Sequence, residues 1–225
     1  KAKEKLKKIR LSTDVLTLTA TPIPRTLYMS LMGAKDLSVI NTPPENRLPI
    51  KTIVVEYDDD LIVQAISREV NRKGQAFFLH NRIEDIEKIK ERLTRLLPPG
   101  IRFAVGHGRM HPKLLEKVMS DFLKGDIDCL ISTMIVESGI DIPNANTIIV
   151  NNANMFGLSD LHQLRGRVGR FNRSAYAYFL VPKNETLDTL ARKRLKAIEE
   201  YSHLGAGFNI AMEDVSILAT KVIED

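Results

Sequence analysis

Between residues 52 and 181 the hydrophobic period switches repeatedly between two and about 3.6, and this alternation constrains the fold more than any other feature. Short β-branched runs at 52–56, 75–79, 102–105, 128–132, 147–150 and 176–181 read as strands. Longer segments between them repeat apolar residues at helical spacing. Ile62, Ile66 and Val70 mark 61–72, Ile86, Ile89 and Leu93 mark 84–97, and Leu115, Val118, Met119 and Phe122 mark 112–123, with a shorter helix over 158–164. Strands joined through helices pair in parallel, and a parallel sheet must be covered on both faces. The expectation is an α/β fold with a mostly parallel sheet, whose ligands bind beyond the carboxyl ends of the strands.

The flanks carry a different rhythm. Residues 1–12 read as the end of an exposed helix, 15–19 as a buried strand, 25–32 as a helix with Pro24 in its first turn, and 37–40 as a short strand. Residues 41–49, NTPPENRLP, hold three prolines and form the best linker candidate. From Thr189 a helical pattern returns through Leu190, Leu195 and Ile198, and the glycines at 205 and 207 break it, which suggests a helical hairpin. At 225 residues the chain can bury a full core. No apolar run approaches the roughly 20 residues of a membrane span, so no membrane association is expected.

The single cysteine, Cys129, lies in an apolar run, which excludes a disulfide framework and suits an inert thiol in a reducing, cytoplasmic setting. A net charge of +5 leans toward a polyanionic partner. The N-terminus has no Met and no apolar signal core, so a piece of a longer, unexported protein is expected.

The sharpest chemical signal is QLRGRVGR at 163–170. Arg165, Arg167 and Arg170 alternate with Gly166 and Gly169 at the end of a short helix, where glycine allows backbone and guanidinium to approach a ligand closely. Guanidinium forks match phosphate oxygens, and one aimed at a γ-phosphate accelerates transfer by ~10³–10⁵. The competing reading is a basic surface turn. A second signal lies upstream in ISTMIVESGIDIP at 131–143, where a buried strand runs into hydroxyls and then a glycine turn with a carboxylate. Thr133 can bond a nucleic-acid phosphate, and Asp141 a ribose hydroxyl or a magnesium-bound water; Ser132 and Thr133 could equally cap a turn. His107 and His111 are four apart, but Gly108 between them disfavours a helix, so no metal site is expected.

These two segments, with Thr19, Ala20, Thr21 and Pro22, resemble motifs V, VI and III of superfamily 2 helicases and translocases. FFLHNR at 77–82 is similar to motif IV, and GHGRM at 106–110 to the glycine-containing loop that follows it. The resemblance covers nearly the whole chain. It implies a RecA-like P-loop NTPase fold, divided into the tail of a first lobe (1–44), a linker (45–51), a second lobe (52–186) and an incomplete translocation-motif hairpin (187–225).

Two branches of the superfamily share TATPIPRTL, HGRM and QLRGRVGR: RecG-type fork-remodelling helicases and bacterial transcription-repair coupling factors. DLSVINTPPENRLPIKT at 36–52, FLHNR at 78–82 and GIDIP at 139–143 are more similar to the coupling factors. That likeness implies a lobe of a double-stranded DNA translocase that displaces stalled RNA polymerase and couples transcription to excision repair, through domains outside this chain. A RecG-like lobe and a non-catalytic RecA-like binding module stay open as alternatives.

The resemblance also assigns roles. Gln163, Arg167 and Arg170 would face ATP on the first lobe, the two arginines as fingers, while Gly139 and Asp141 approach the nucleotide. Asn81, Arg82, His107, Gly108, Arg109, Thr133 and Glu137 would line the DNA track. Thr19, Ala20, Thr21, Pro22 and, in the hairpin, Arg194 would couple hydrolysis to movement. Two departures from the family stand out. After AMED at 211–214 the chain reads VSILAT in place of an Arg-Gly-rich segment, and no Gly-Lys or Asp-Glu dipeptide occurs in it. The phosphate-cradling loop and the Mg²⁺-organising acidic box are therefore absent from these residues, and ATP turnover by this chain alone is not expected.

Overall fold

The computed structural model describes residues 38–40, 48–134, 142–169, 173–184, 186–203 and 205–224, with side chains as far as 217. The strand and helix expected at 15–19 and 25–32 lie outside these residues. Residues 38–40 carry no regular structure, so the strand expected over 37–40 does not form there.

Among the described residues six strands make one sheet in the order β1-β6-β5-β2-β4-β3, and every neighbouring pair is parallel. In chain order the elements are β1 (Lys51–Glu56), α1 (Asp59–Asn71), β2 (Gln75–Leu79), α2 (Ile86–Leu96), β3 (Phe103–Gly106), α3 (Pro112–Lys124) and β4 (Cys129–Ser132). Then follow β5 (Ala145–Val150), a 3₁₀ turn (Ala153–Met155), α4 (Leu158–Arg165), β6 (Tyr176–Val181), α5 (Thr189–Glu200) and α6 (Gly207–Glu224). Asp58 caps α1 by accepting from the Leu61 amide at 3.0 Å, and α3 opens on Pro112 and closes on left-handed Gly125.

Alternation along β2 divides the core. Phe77 and Leu79 face the cluster built with Phe122 of α3, Leu161 and Leu164 of α4 and Ile198 of α5. Ala76 and Phe78 face the opposite cluster, with Ile62 and Ile66 of α1 and Leu93 of α2. Cys129 belongs to this second layer, where burial pushes its thiol up and leaves it inert.

One buried carboxylate sits where α1 hands over to β2. Glu69 is fully buried, accepting from Arg72 Nε at 3.1 Å and from Thr147 Oγ1 of β5 at 2.6 Å. A charge in this position is tolerable only because both partners are supplied. Gly74 makes the space for it, since a Cβ there would stand 1.8 Å from Glu69 Oε1.

A second buried charge fixes the C-terminal helices. Arg165, the last residue of α4, is 4% exposed and donates to the carbonyls of Ile198 and Tyr201, each at 2.8 Å. These are the unpaired carbonyls at the C-terminal end of α5, which carry partial negative charge. Burial pulls the guanidinium down to about 10, so it stays charged at neutral pH. Farther along α4, Ser159 Oγ donates to Asp214 Oδ2 of α6 at 2.7 Å. The arginine-bearing helix is thus tied to both helices of the hairpin.

Two stability measurements follow from these ties. Gly74→Ala should cost about 1–3 kcal/mol in urea unfolding, and most of that loss should vanish in a Glu69→Ala background; equal losses in both backgrounds would contradict the steric account. Arg165→Ala should cost about 2–4 kcal/mol, and Arg165→Lys should rescue little, because one ammonium cannot span two carbonyls as the fork does. Full stability of the lysine variant would show that charge alone suffices.

Candidate nucleotide and nucleic-acid interface

All the described candidate residues except Arg194 stand at or just past the carboxyl ends of strands or of α4. Asn81 and Arg82 follow β2, His107, Gly108 and Arg109 follow β3, and Thr133 follows β4. Gln163 and Arg167 stand at the end of α4, which descends from β5 through the 3₁₀ turn. Parallel order gathers the loops after β2, β3 and β4 at one edge of the sheet, whereas the turn after α4 lies at the other, where Gly169 approaches Ile50 and Ala175 just before β1 and β6. Thr19, Ala20, Thr21, Pro22, Glu137, Gly139, Asp141 and Arg170 lie outside the described residues.

The loop after β2 is anchored by a residue to which the sequence reading gave no role. His80 is buried, with Nε2 2.7 Å from Asp85 Oδ1 and Nδ1 3.0 Å from Asn151 Nδ2. An Asn151 amide donating to Nδ1 leaves the ring proton on Nε2, which then donates to Asp85. The His80 backbone amide donates to the Ser132 carbonyl at 2.8 Å. These bonds link the loops after β2, β4 and β5 beneath exposed Asn81 and Arg82. Both of these line a cavity of about 250 Å³ with Asn152, Asn154, Met155 and Pro182. His80 stood inside the quoted FFLHNR segment, but its buried role has no signal in a single sequence.

The loop after β3 is a tight turn in which the Met110 amide donates to the His107 carbonyl at 3.0 Å. Space around Gly108 is open, and Arg109 meets Glu84 at 3.2 Å with both side chains 70% exposed. Such an exposed pair is worth under about 1 kcal/mol, so Arg109 can exchange it for a phosphate at little cost. Thr133 is nearly buried, and its amide donates to the Gly106 carbonyl at 3.3 Å, bringing the ends of β3 and β4 together.

Within QLRGRVGR the residues divide. Arg165 faces inward as a strut, Gln163 is exposed, and Arg167 is half-buried just beyond the helix, its amide donating to the Leu164 carbonyl at 3.0 Å. The spacing of Leu158, Leu161 and Arg165 on one helical face was the signal that could have identified Arg165 as interior. Gly169 has φ +74 and lies so close to Ala175 that a Cβ would come within 2.9 Å, so the turn after the motif admits only glycine. Arg194 of α5 reaches the 3₁₀ turn, its Nη2 donating to the Asn154 carbonyl at 3.4 Å.

Comparison with known proteins places the fold among its relatives. Over 215 residues, 96% of the chain, it is 56% identical to the transcription-repair-coupling factor of Bacillus subtilis and 52% identical to that of Staphylococcus epidermidis. It spans 18% of the length of each of these relatives. RecG bound to a three-way DNA junction superposes with a TM-score of 0.73 at 34% identity, over 90% of this chain and 27% of RecG. Dbp5 of S. cerevisiae, bound to RNA and ADP BeF3, shares the fold at a TM-score of 0.59 and 17% identity, over 88% of this chain and 52% of that one. Residues 58–172 match the helicase conserved C-terminal domain, and with the parallel RecA-like sheet that match establishes that the chain belongs to this helicase family.

Proposed function

We propose that the chain is the second RecA-like lobe of an ATP-driven translocase on double-stranded DNA, of the transcription-repair coupling type. The observation that carries this reading is the 56% identity to the B. subtilis coupling factor across 96% of the chain. In the division we favour, residues 1–44 are the tail of a first lobe, 45–51 a linker, 52–186 the second lobe and 187–225 a helical hairpin that takes part in translocation. ATP and Mg²⁺ would be held mainly on the first lobe. RNA polymerase and excision-repair proteins would be engaged by other parts of the longer protein, in the cytoplasm. The RecG likeness at 34% identity supports a fork-remodelling lobe as the second reading.

In this reading Arg167 and Arg170 reach across to the γ-phosphate and stabilise charge that develops in transfer, with Gln163 beside them. Gly139 and Asp141 stand near the nucleotide. Asn81, Arg82, His107, Gly108, Arg109, Thr133 and Glu137 follow the DNA backbone, whose phosphates and sugars carry no sequence information. That indifference suits a motor that moves along any duplex. Thr19, Ala20, Thr21, Pro22 and Arg194 couple the two events. The inward position of Arg165 supports the division, because it gives the motif a fixed base from which Arg167 projects.

Two measurements test the reading. In the longer protein, Arg167→Ala should lower DNA-stimulated ATP turnover by about 10³-fold with the melting temperature unchanged; undiminished turnover would remove the finger role. The 225-residue chain alone should bind duplex DNA with an affinity that falls steeply with salt, and should not turn over ATP. Salt-insensitive binding would favour a stand-alone binding module.

A further inference from the structure

We propose that the notch framed by Arg82, Asn152, Asn154 and Met155 seats one phosphodiester of duplex DNA together with its deoxyribose. The inference rests on the reading of this edge as the DNA track, and extends it to the turn after β5, to which the sequence reading gave no contact. The notch lies among the loops after β2, β5 and β6, which are adjacent in the sheet. No carboxylate lines it among the described residues. Its polar groups are amides and one guanidinium, and its remaining walls include Met155, Phe156 and Pro182. Amide and guanidinium N–H groups suit phosphate oxygens, while apolar walls suit the carbon face of a sugar. A protein surface rich in cations would find no complementary charge here.

Two further observations favour an external occupant. Met155 is 71% exposed, a large apolar side chain left in water on the rim of a polar notch. Asn154 lines the same notch, and its buried Oδ1 has no hydrogen-bond partner among the described residues. The frame itself is fixed. Asn151 is engaged by His80, the Asn154 carbonyl by Arg194, and Asn152 holds the left-handed conformation (φ 53) that turns the chain out of β5. A preformed frame adds no ordering cost on binding.

The test is the affinity of the 225-residue chain for a short fluorescent DNA duplex, read by anisotropy across a salt series. Met155→Glu, at an exposed site that leaves folding intact, and Asn152→Asp, which tolerates the same backbone, should each raise Kd about tenfold. Leu123→Glu, an equal charge change on an exposed site of α3, should leave Kd within about twofold. Arg109→Ala should weaken binding independently of the notch. If Arg109→Ala weakens binding and neither notch variant does, the notch assignment is overturned and the DNA track stands. A loss as large in Leu123→Glu would reduce the effect to bulk charge and overturn the assignment too. Displacement of the duplex by inorganic phosphate at matched ionic strength would assign the notch to a free anion instead. No measurable binding by the unaltered chain would overturn the track and the notch together.

Discussion

Parallel pairing on both sides of β2 is the constraint on which the rest of the structure depends. Its residues are buried throughout, and it pairs in parallel with β4 on one side and β5 on the other, with one register shift against β5 at Gln75. Because all three strands run the same way, their following loops must emerge at one edge. His80, the first residue past β2, converts that topological fact into fixed geometry. Its ring bonds Asp85 and Asn151, and its amide bonds Ser132, so loops distant in sequence share one buried anchor. The exposed groups above it, Asn81 and Arg82, are held at their base rather than along their length.

The arginine-rich turn shows the same separation between what is held and what reaches out. Arg165 is desolvated at a cost that only fully made hydrogen bonds offset, and the helix-end carbonyls of Ile198 and Tyr201 supply them. Arg167, two residues later, lies beyond the last helical turn and is half-buried. A motif that reads as three equivalent cations therefore contains at least two kinds of arginine. The first belongs to the hydrophobic layer with α5 and α6; the second lies outside it, in the turn that packs at the amino ends of β1 and β6.

Much of the fold was legible because the periodicity is strong where strands are wholly buried. β2 and β6 occupy the residues expected, each bounded by residues that break the pattern. Boundaries moved where polar side chains took tertiary partners. Asp85 bonds His80 instead of capping α2, which starts at Ile86 and not at residue 84, and Asp128 is drawn off to Arg102, so β4 begins at Cys129. β5 reaches back to Ala145 through Asn146, a fully buried amide that no hydropathy pattern would place in a strand. The 3₁₀ turn at Ala153–Met155 is too short to show a period. Candidate site residues stood out as motifs, whereas the groups that hold their loops did not, because His80, Asn151 and Glu69 act through contacts with residues remote in sequence.

The central claim is that this lobe completes an ATPase site whose nucleotide is held elsewhere. A transition-state analogue tests it most directly, because it separates stabilisation of the transferring phosphoryl group from ground-state binding. The measurement is the affinity of the longer protein, with duplex DNA present, for ADP–aluminium fluoride relative to ADP, with Arg167 intact and as Arg167→Ala. The account predicts that ADP binds equally well to both and that the analogue's advantage over ADP collapses in the variant. An advantage that survives the substitution would contradict it.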